Sequence, residues 1–133
     1  MVMTNEEIGA AVREAVAGAL GLSEDEVVPA VTILGDLGAE SIDLLDILFR
    51  IERKSKIKVQ AADLTAYVQG GIPDEEFADA DGFITPAGLA QLKKAMPQVD
   101  TSQGKIEAAK VMVLFSVQNL TDLVARRAAD RTG

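Results

Sequence analysis

Leu34-Gly35-Asp36-Leu37-Gly38-Ala39-Glu40-Ser41-Ile42-Asp43-Leu44-Leu45-Asp46 is the stretch that decides how this chain is read. Gly35 and Gly38 punctuate a loop, because glycine tolerates the positive φ that tight turns need. Ser41 then stands where a helix begins. Ile42, Leu45, Leu48, Phe49 and Ile51 recur mostly at spacings of three and four, and Leu44 and Ile47 widen the stripe. That periodicity predicts an amphipathic helix over 41–55 with its apolar face toward a core. A serine at such a junction satisfies orphan N–H groups of the first turn. Glu40, Asp43 and Asp46 place negative charge near the positive end of the helix dipole, each favourable by about 0.3–1 kcal/mol.

Toward the amino end, Thr4-Asn5-Glu6-Glu7 has the form of a capping box, with Thr4 as the cap residue. Ile8, Val12, Val16 and Leu20 follow every four residues, beside Ala11, Ala15 and Ala19. They predict a first helix over 5–20, stopped by Gly21. The connection 21–40 is long for a compact domain. Its apolar residues, Val27, Val28, Val31, Ile33, Leu34 and Leu37, lack one clean period and are expected to pin the loop against the end of a helical bundle.

Toward the carboxyl end, Ala61 to Val68 predicts a short helix ended by Gly70-Gly71, and Ile72 to Phe77 a turn. Thr85-Pro86 is a helix start, cap residue followed by proline at the first position, with Leu89, Leu92 and Met96 on one face. Lys105 to Leu114 is apolar-rich; a helix is expected there, with an extended stretch as the alternative. Ser116 is read as the cap of a closing helix carrying Val117, Leu120, Leu123 and Val124 on one face. The polar tail from Arg126 to Gly133 is expected to fray.

Composition narrows the chemistry. The chain has no cysteine, which excludes disulfides, thiolate metal sites and cysteine nucleophiles. It has no histidine, so a Ser-His-Asp triad cannot form within it and the commonest general base is absent. No catalytic residue and no metal site are expected. Asp79-Ala80-Asp81-Gly82 resembles the middle of a calcium loop, but that register puts Phe77 first and Gly88 last, where Asp and Glu are needed. With 21 acidic residues against 13 basic, the net charge is −8, which argues against nucleic acid and anionic membrane surfaces. No apolar run approaches the roughly 20 residues of a membrane span. The amino end, with Asn5, Glu6 and Glu7, is unlike a signal peptide. A soluble, cytoplasmic monomer is expected.

Leu37-Gly38-Ala39-Glu40-Ser41-Ile42-Asp43 resembles the acyl carrier protein signature Leu-Gly-Ala-Asp-Ser-Leu-Asp, with Glu40 and Ile42 as conservative departures. The resemblance covers Thr4 to about Val59, and Phe115 to Val124 is similar to the family's closing helix. It implies an all-α, acyl-carrier-like bundle in a single domain, with core 4–59 and 115–127 and extra helices inserted over about 60–114. It further implies 4′-phosphopantetheine, donated by coenzyme A and esterified to Ser41, whose thiol carries acyl groups for a dedicated lipid, fatty acid or polyketide-type pathway. The partners implied are a phosphopantetheinyl transferase, an acyl-loading enzyme and a ketosynthase or acyltransferase. By motif position, Asp36, Glu40, Asp43 and Asp46 would meet those partners. Leu37, Ile42, Leu45 and Phe49 would line an acyl channel between helices.

Arg50, Arg53, Lys54, Lys56 and Lys58 stand where usual carriers are mostly acidic. They either complement the carbonyl end of the helix dipole or change the choice of partner. Two other readings of the chain stand beside the acyl carrier: a peptidyl carrier, and an unmodified helical interaction module in which Ser41 is only a cap.

Overall fold

The structure, a computed structural model, describes residues 4–100 and 105–132. Six α-helices follow in order: α1 (Asn5–Leu20), α2 (Ser41–Ser55), α3 (Ala61–Gln69), α4 (Asp74–Phe77), α5 (Pro86–Ala95) and α6 (Val117–Thr132). Short 3₁₀ turns lie at Glu24–Glu26 and Ala108–Leu114. No strand forms among the described residues, only three isolated bridges.

The ends of α1 follow from its capping residues. The Thr4 N–H donates to Glu7 Oε1 (2.9 Å) and the Glu7 N–H to Thr4 Oγ1 (3.1 Å). The Thr4 N–H, with the Thr4 hydroxyl beside it, favours the charged form of the Glu7 carboxyl and holds it below its ordinary pKa. Gly21 closes the helix in the left-handed region at φ +69°, which an L side chain adopts only with strain. The buried face is Ile8, Ala11, Val12, Ala15, Val16 and Ala17. Its small residues let α2 approach closely, and α1 packs chiefly on α2 and then on α6.

The connection 21–40 is pinned, as its apolar content predicts. Val27, Ile33 and Ala39 are buried. Its backbone is stitched to the start of α6: the Ile33 N–H donates to Phe115 O (3.1 Å), the Val117 N–H to Val31 O (2.9 Å) and the Gln118 N–H to Pro29 O (2.9 Å). These bonds satisfy polar backbone that a buried loop would otherwise strand.

Residues 60–114 rest on the bundle through α6. α3 packs on α5 and α6, and α4 on α5. The Tyr67 ring meets Phe115 edge-on at 6.4 Å between centroids. Burial, with Asp122 nearby, pushes the Tyr67 hydroxyl above its ordinary pKa, and Arg126 pulls the other way. Thr85 caps α5 as expected: its Oγ1 accepts from the Gly88 N–H (3.0 Å) and donates to Glu76 O (2.6 Å).

Asn119, 2% exposed, is the polar hub of the junction. Its Oδ1 accepts from the Ser116 N–H (2.9 Å), the Ser116 hydroxyl (2.9 Å) and Gln98 Nε2 (2.6 Å). Its Nδ2 donates to Ala95 O (3.3 Å). Ser116 in turn caps α6, accepting the Asn119 N–H at 3.1 Å. Val117, Leu120, Leu123 and Val124 are all buried, as their spacing predicts.

Two expectations are corrected. The polar tail does not fray from Arg126: α6 continues to Thr132, because Ala128 is buried and the Arg126 guanidinium sits over the Tyr67 ring at 5.0 Å. Gly133 lies outside the described residues. The segment from Lys105 is neither a full helix nor a strand. It enters through a bridge between Phe83 and Glu107 and winds as a 3₁₀ turn that buries only Val111.

Candidate functional site

Ser41 is the first residue of α2 and is exposed. It is not the cap. Glu40 holds the cap position in extended conformation, and its N–H donates to Asp43 Oδ2 at 2.9 Å. The expectation that Ser41 satisfies the orphan amides of the first turn is therefore corrected. The Asp43 carboxylate, three residues beyond Glu40, closes the helix start. The Ser41 hydroxyl makes no hydrogen bond among the described residues. It is left at the positive end of a four-turn helix, where an anionic substituent is stabilised.

The loop before it is held by its own side chains. The Asp36 N–H donates to Thr32 Oγ1 (2.7 Å), and Asp36 Oδ2 accepts the Thr32 N–H (2.9 Å). Gly38 takes the predicted positive φ, at +70°. Gly35 does not; it is required by close approach. A side chain there would lie 2.6 Å from Thr32 Oγ1 and 2.9 Å from Val113 O. Thus the 108–114 segment packs directly on the loop that leads to Ser41, a contact that no local signal in either segment announces.

The apolar residues of α2 fall into two stripes. At about 100° per residue, 44, 47, 48 and 51 share one side, and 42, 45 and 49 lie roughly opposite. Ile47, Leu48 and Ile51 are buried and Leu44 partly so, against α1 and the core. Ile42, Leu45 and Phe49 are 71%, 55% and 56% exposed. The expectation that Ile42, Leu45 and Phe49 line a channel between helices is corrected: they face solvent, because one helix cannot direct both stripes into the same core. Leu37 alone of that set is partly buried against it.

The charges around this outer stripe are largely matched within the chain. Asp46 pairs with Arg50 (3.2 Å) and Lys54 pairs with Glu14 of α1. The Arg53 guanidinium lies 5.7 Å from the centre of the Phe49 ring. Exposed pairs of this kind are worth about 0–1 kcal/mol, so their main effect is on the charge the face presents. Of the four acidic residues singled out by motif position, Asp36, Asp43 and Asp46 are engaged locally. Glu40 carries the exposed carboxylate beside Ser41. In the calcium-loop-like turn, Asp79 Oδ1 accepts the N–H groups of Asp81 (2.9 Å) and Phe83 (3.0 Å), while Phe77 is buried.

Comparison with known proteins follows the same region. The family described as "Phosphopantetheine attachment site" matches residues 10–68, which takes the similarity past Val59 and through most of α3. The acyl carrier protein of Thermotoga maritima is 36% identical over 61 residues, 46% of this chain and 75% of that protein. That of Clostridium perfringens is 31% identical over 79 residues, 59% of this chain and 83% of that protein. Acyl carrier protein AcpXL of Brucella melitensis is 35% identical over 57 residues, 42% of this chain and 61% of that protein. No solved structure matches this chain significantly. With a free serine at a helix start inside the matched region, and most of two carriers' length covered, the chain belongs to the acyl carrier protein family, carriers rather than catalysts, whose covalent group is 4′-phosphopantetheine.

Proposed function

We propose that Ser41 is the attachment point of 4′-phosphopantetheine and that the chain carries acyl groups as thioesters between enzymes of a dedicated lipid, fatty acid or polyketide-type pathway. The observation that carries this reading is the idle hydroxyl of Ser41, exposed at the start of α2 while Asp43 does the capping. The residues fit the group: an exposed Oγ is open to a second protein's active site, and the helix amino terminus favours the phosphodiester. When bound, the group supplies a terminal thiol for thioester linkage. Ser41 acts once: in the active site of a phosphopantetheinyl transferase its Oγ attacks the pantetheine-side phosphorus of coenzyme A, the new phosphodiester forms as the pyrophosphate bond breaks, adenosine 3′,5′-bisphosphate leaves, and the hydroxyl proton passes to the transferase. Asp36 and Asp43 hold the loop and the helix start, so that Ser41 is presented in one place.

The partners of this reading are that transferase, an acyl-loading enzyme and a ketosynthase or acyltransferase. The surface offered to them is the outer stripe of α2, Ile42, Leu45 and Phe49, with the Glu40 carboxylate at its head and Arg53 at its foot. Exposed aromatic and aliphatic side chains ringed by polar groups have the anatomy of an interface centre. Because Asp46 is paired with Arg50, the face is less acidic than its sequence implies, and it fits an apolar partner groove that also presents a carboxylate to Arg53. We read the chain as one domain, core 4–59 and 115–127, with an elaboration on α6 over about 60–114 whose first helix, α3, still lies largely within the family match. No helix among the described residues is long and apolar enough to cross a membrane.

Intact mass tests the attachment. After incubation with coenzyme A, Mg²⁺ and a broad-specificity transferase, the chain should gain one phosphopantetheine and a Ser41→Ala variant none. No gain with two unrelated transferases, in protein shown to be folded, would favour the unmodified interaction module.

A further inference from the structure

The buried residues of α2 begin at Ile47, six positions beyond Ser41. Ser41, Ile42, Leu45 and Asp46 are exposed, and Asp43 and Leu44 are half-buried. The start of the helix is therefore held by what precedes it, and that loop hangs from one residue. Thr32 bridges Ser116 at the entry to α6, where the Ile33 N–H donates to Phe115 O (3.1 Å) and the Val117 N–H to Val31 O (2.9 Å). From this fixed point the chain turns back on itself. Thr32 O accepts the Asp36 N–H (3.1 Å) and the Leu37 N–H (3.0 Å), and Ile33 O accepts the Ala39 N–H (3.2 Å). Ala39, two residues before Ser41, is buried. The side chains of Thr32 and Asp36 lock the turn reciprocally: Thr32 Oγ1 accepts the Asp36 N–H at 2.7 Å, and Asp36 Oδ2 accepts the Thr32 N–H at 2.9 Å. The pair has the reciprocity of a capping box, with no helix to cap.

We propose that Thr32 and Asp36 are positioning residues for the modification of Ser41, forming a brace that fixes where the serine stands relative to α6. The proposal rests on Ser41 as the attachment point. It gives Asp36 a role other than the partner contact its place in the motif implies: the carboxylate acts within the chain, as the acceptor of the Thr32 N–H, and its charge is not what the transferase reads. Neither residue touches the reacting atoms, where the Ser41 Oγ–phosphorus bond forms as the pyrophosphate bond of coenzyme A breaks. Displacing a reacting group by about 1 Å can cost on the order of 10²-fold in rate. The middle of α2, with Leu45 and Phe49 on its outer face, is anchored separately through Ile47, Leu48 and Ile51. Loss of the brace therefore leaves docking on that face intact and falls on kcat rather than on KM.

The test follows initial rates of mass gain with coenzyme A, Mg²⁺ and a broad-specificity transferase over a range of chain concentrations, well below the melting point of every variant. Thr32→Val keeps the shape and loses the acceptor; Asp36→Ala removes the other half from an exposed site. Each should lower kcat by at least about tenfold with KM for the chain within about twofold of the parent. The double variant should load within about twofold of the slower single one, since either change opens the same brace. Thr32→Ser and Asp36→Asn should load within about threefold of the parent, because a hydroxyl and an amide oxygen still accept the two N–H groups. In the unmodified chain, hydrogen exchange at the bonded amides of Ala39 and Leu44 should quicken in Thr32→Val while that of Ile47 to Ile51 stays as in the parent. Folded Thr32→Val and Asp36→Ala chains that load at the parent's kcat would overturn the proposal, as would a loss confined to KM. Asp36→Asn as slow as Asp36→Ala would also overturn it, by showing that the charge itself meets the partner. A parent that gains no mass refutes the attachment reading instead; exchange at Ala39 and Leu44 that Thr32→Val leaves unchanged refutes the brace in either case.

Discussion

Replacing Asn119 by alanine strikes the joint between the family core and its elaboration. The side chain is 2% exposed and ties three places together: the Ser116 cap of α6, the last turn of α5 at Ala95 O, and Gln98. Alanine removes the acceptor for the Ser116 N–H and hydroxyl and the donor to Ala95 O, and leaves those partners in a buried setting. A typical hydrogen bond contributes about 0.5–1.5 kcal/mol, and a stranded buried group costs about 1–3 kcal/mol. Because water reaches some of the freed groups near exposed Gln98, a total of about 3 kcal/mol is expected. That is a large share of the 5–15 kcal/mol typical of a domain. For a chain of this length it corresponds to a fall in melting temperature of roughly 10 °C.

Urea unfolding read by two probes makes the assay specific. Circular dichroism at 222 nm follows every helix, while the fluorescence of Tyr67, the only tyrosine in a chain without tryptophan, follows the contact of α3 with Phe115. The parent should give coincident curves. Asn119→Ala should shift both midpoints together, because the core is one continuous cluster from Ile8 to Ala128. A loss below about 1 kcal/mol would refute the hub, being no more than a single exposed bond is worth. A Tyr67 transition well before the helical one would refute the single core, by showing the elaboration to unfold alone.

Three further outcomes are expected. Ser41→Ala should change the melting temperature little, within about 0.5 kcal/mol, whereas Asp43→Ala should cost about 1 kcal/mol by uncapping α2; the reverse order in thermal denaturation would return Ser41 to the role of a cap. Gly35→Ala should destabilise by about 1–3 kcal/mol, since its methyl would meet Thr32 Oγ1 and Val113 O; a melting curve like the parent's would show that Val113 yields freely. The Glu7 carboxyl has a folded pKa below its unfolded value near 4.5, so its contribution is complete above that value and is lost as pH falls through the folded pKa. Glu7→Gln should therefore lose stability relative to the parent at neutral pH and converge with it in acid, as followed by thermal melts across pH.

The helices whose ends are written in local chemistry were legible in the sequence. Thr4 with Glu7, Gly21, Thr85-Pro86 and Ser116 mark boundaries that need only neighbours within four residues, and the structure places the ends of α1, α5 and α6 accordingly. What was not legible depends on partners far along the chain. Two apolar stripes on α2 look like one broad stripe until the position of α1 shows which of them is covered. The choice of Glu40 over Ser41 as cap residue turns on Asp43 reaching back to a particular amide, which both assignments allow in sequence. Tail residues 126–132 read as polar and loose because the ring that Arg126 covers belongs to Tyr67 on α3. For the candidate site, the motif located the serine. Neither the outward turn of Ile42, Leu45 and Phe49 nor the pressure of Val113 on Gly35 could be had from the motif alone.

The backbone bonds between Pro29, Val31 and Ile33 and the residues from Phe115 to Gln118 have a consequence for the order of events during synthesis. α1 and α2 leave the ribosome early, but the strip of chain that clasps the loop between them is made only after the whole elaboration. At about 5–20 residues per second, the serine waits several seconds for the segment that fixes its approach. Closing so long a loop carries an entropic cost that is recovered only when these late contacts form. A nascent or truncated chain ending before Phe115 thus exposes the motif without its clasp. The approach to Ser41 is thus fixed only once the segment from Phe115 to Gln118 has been made.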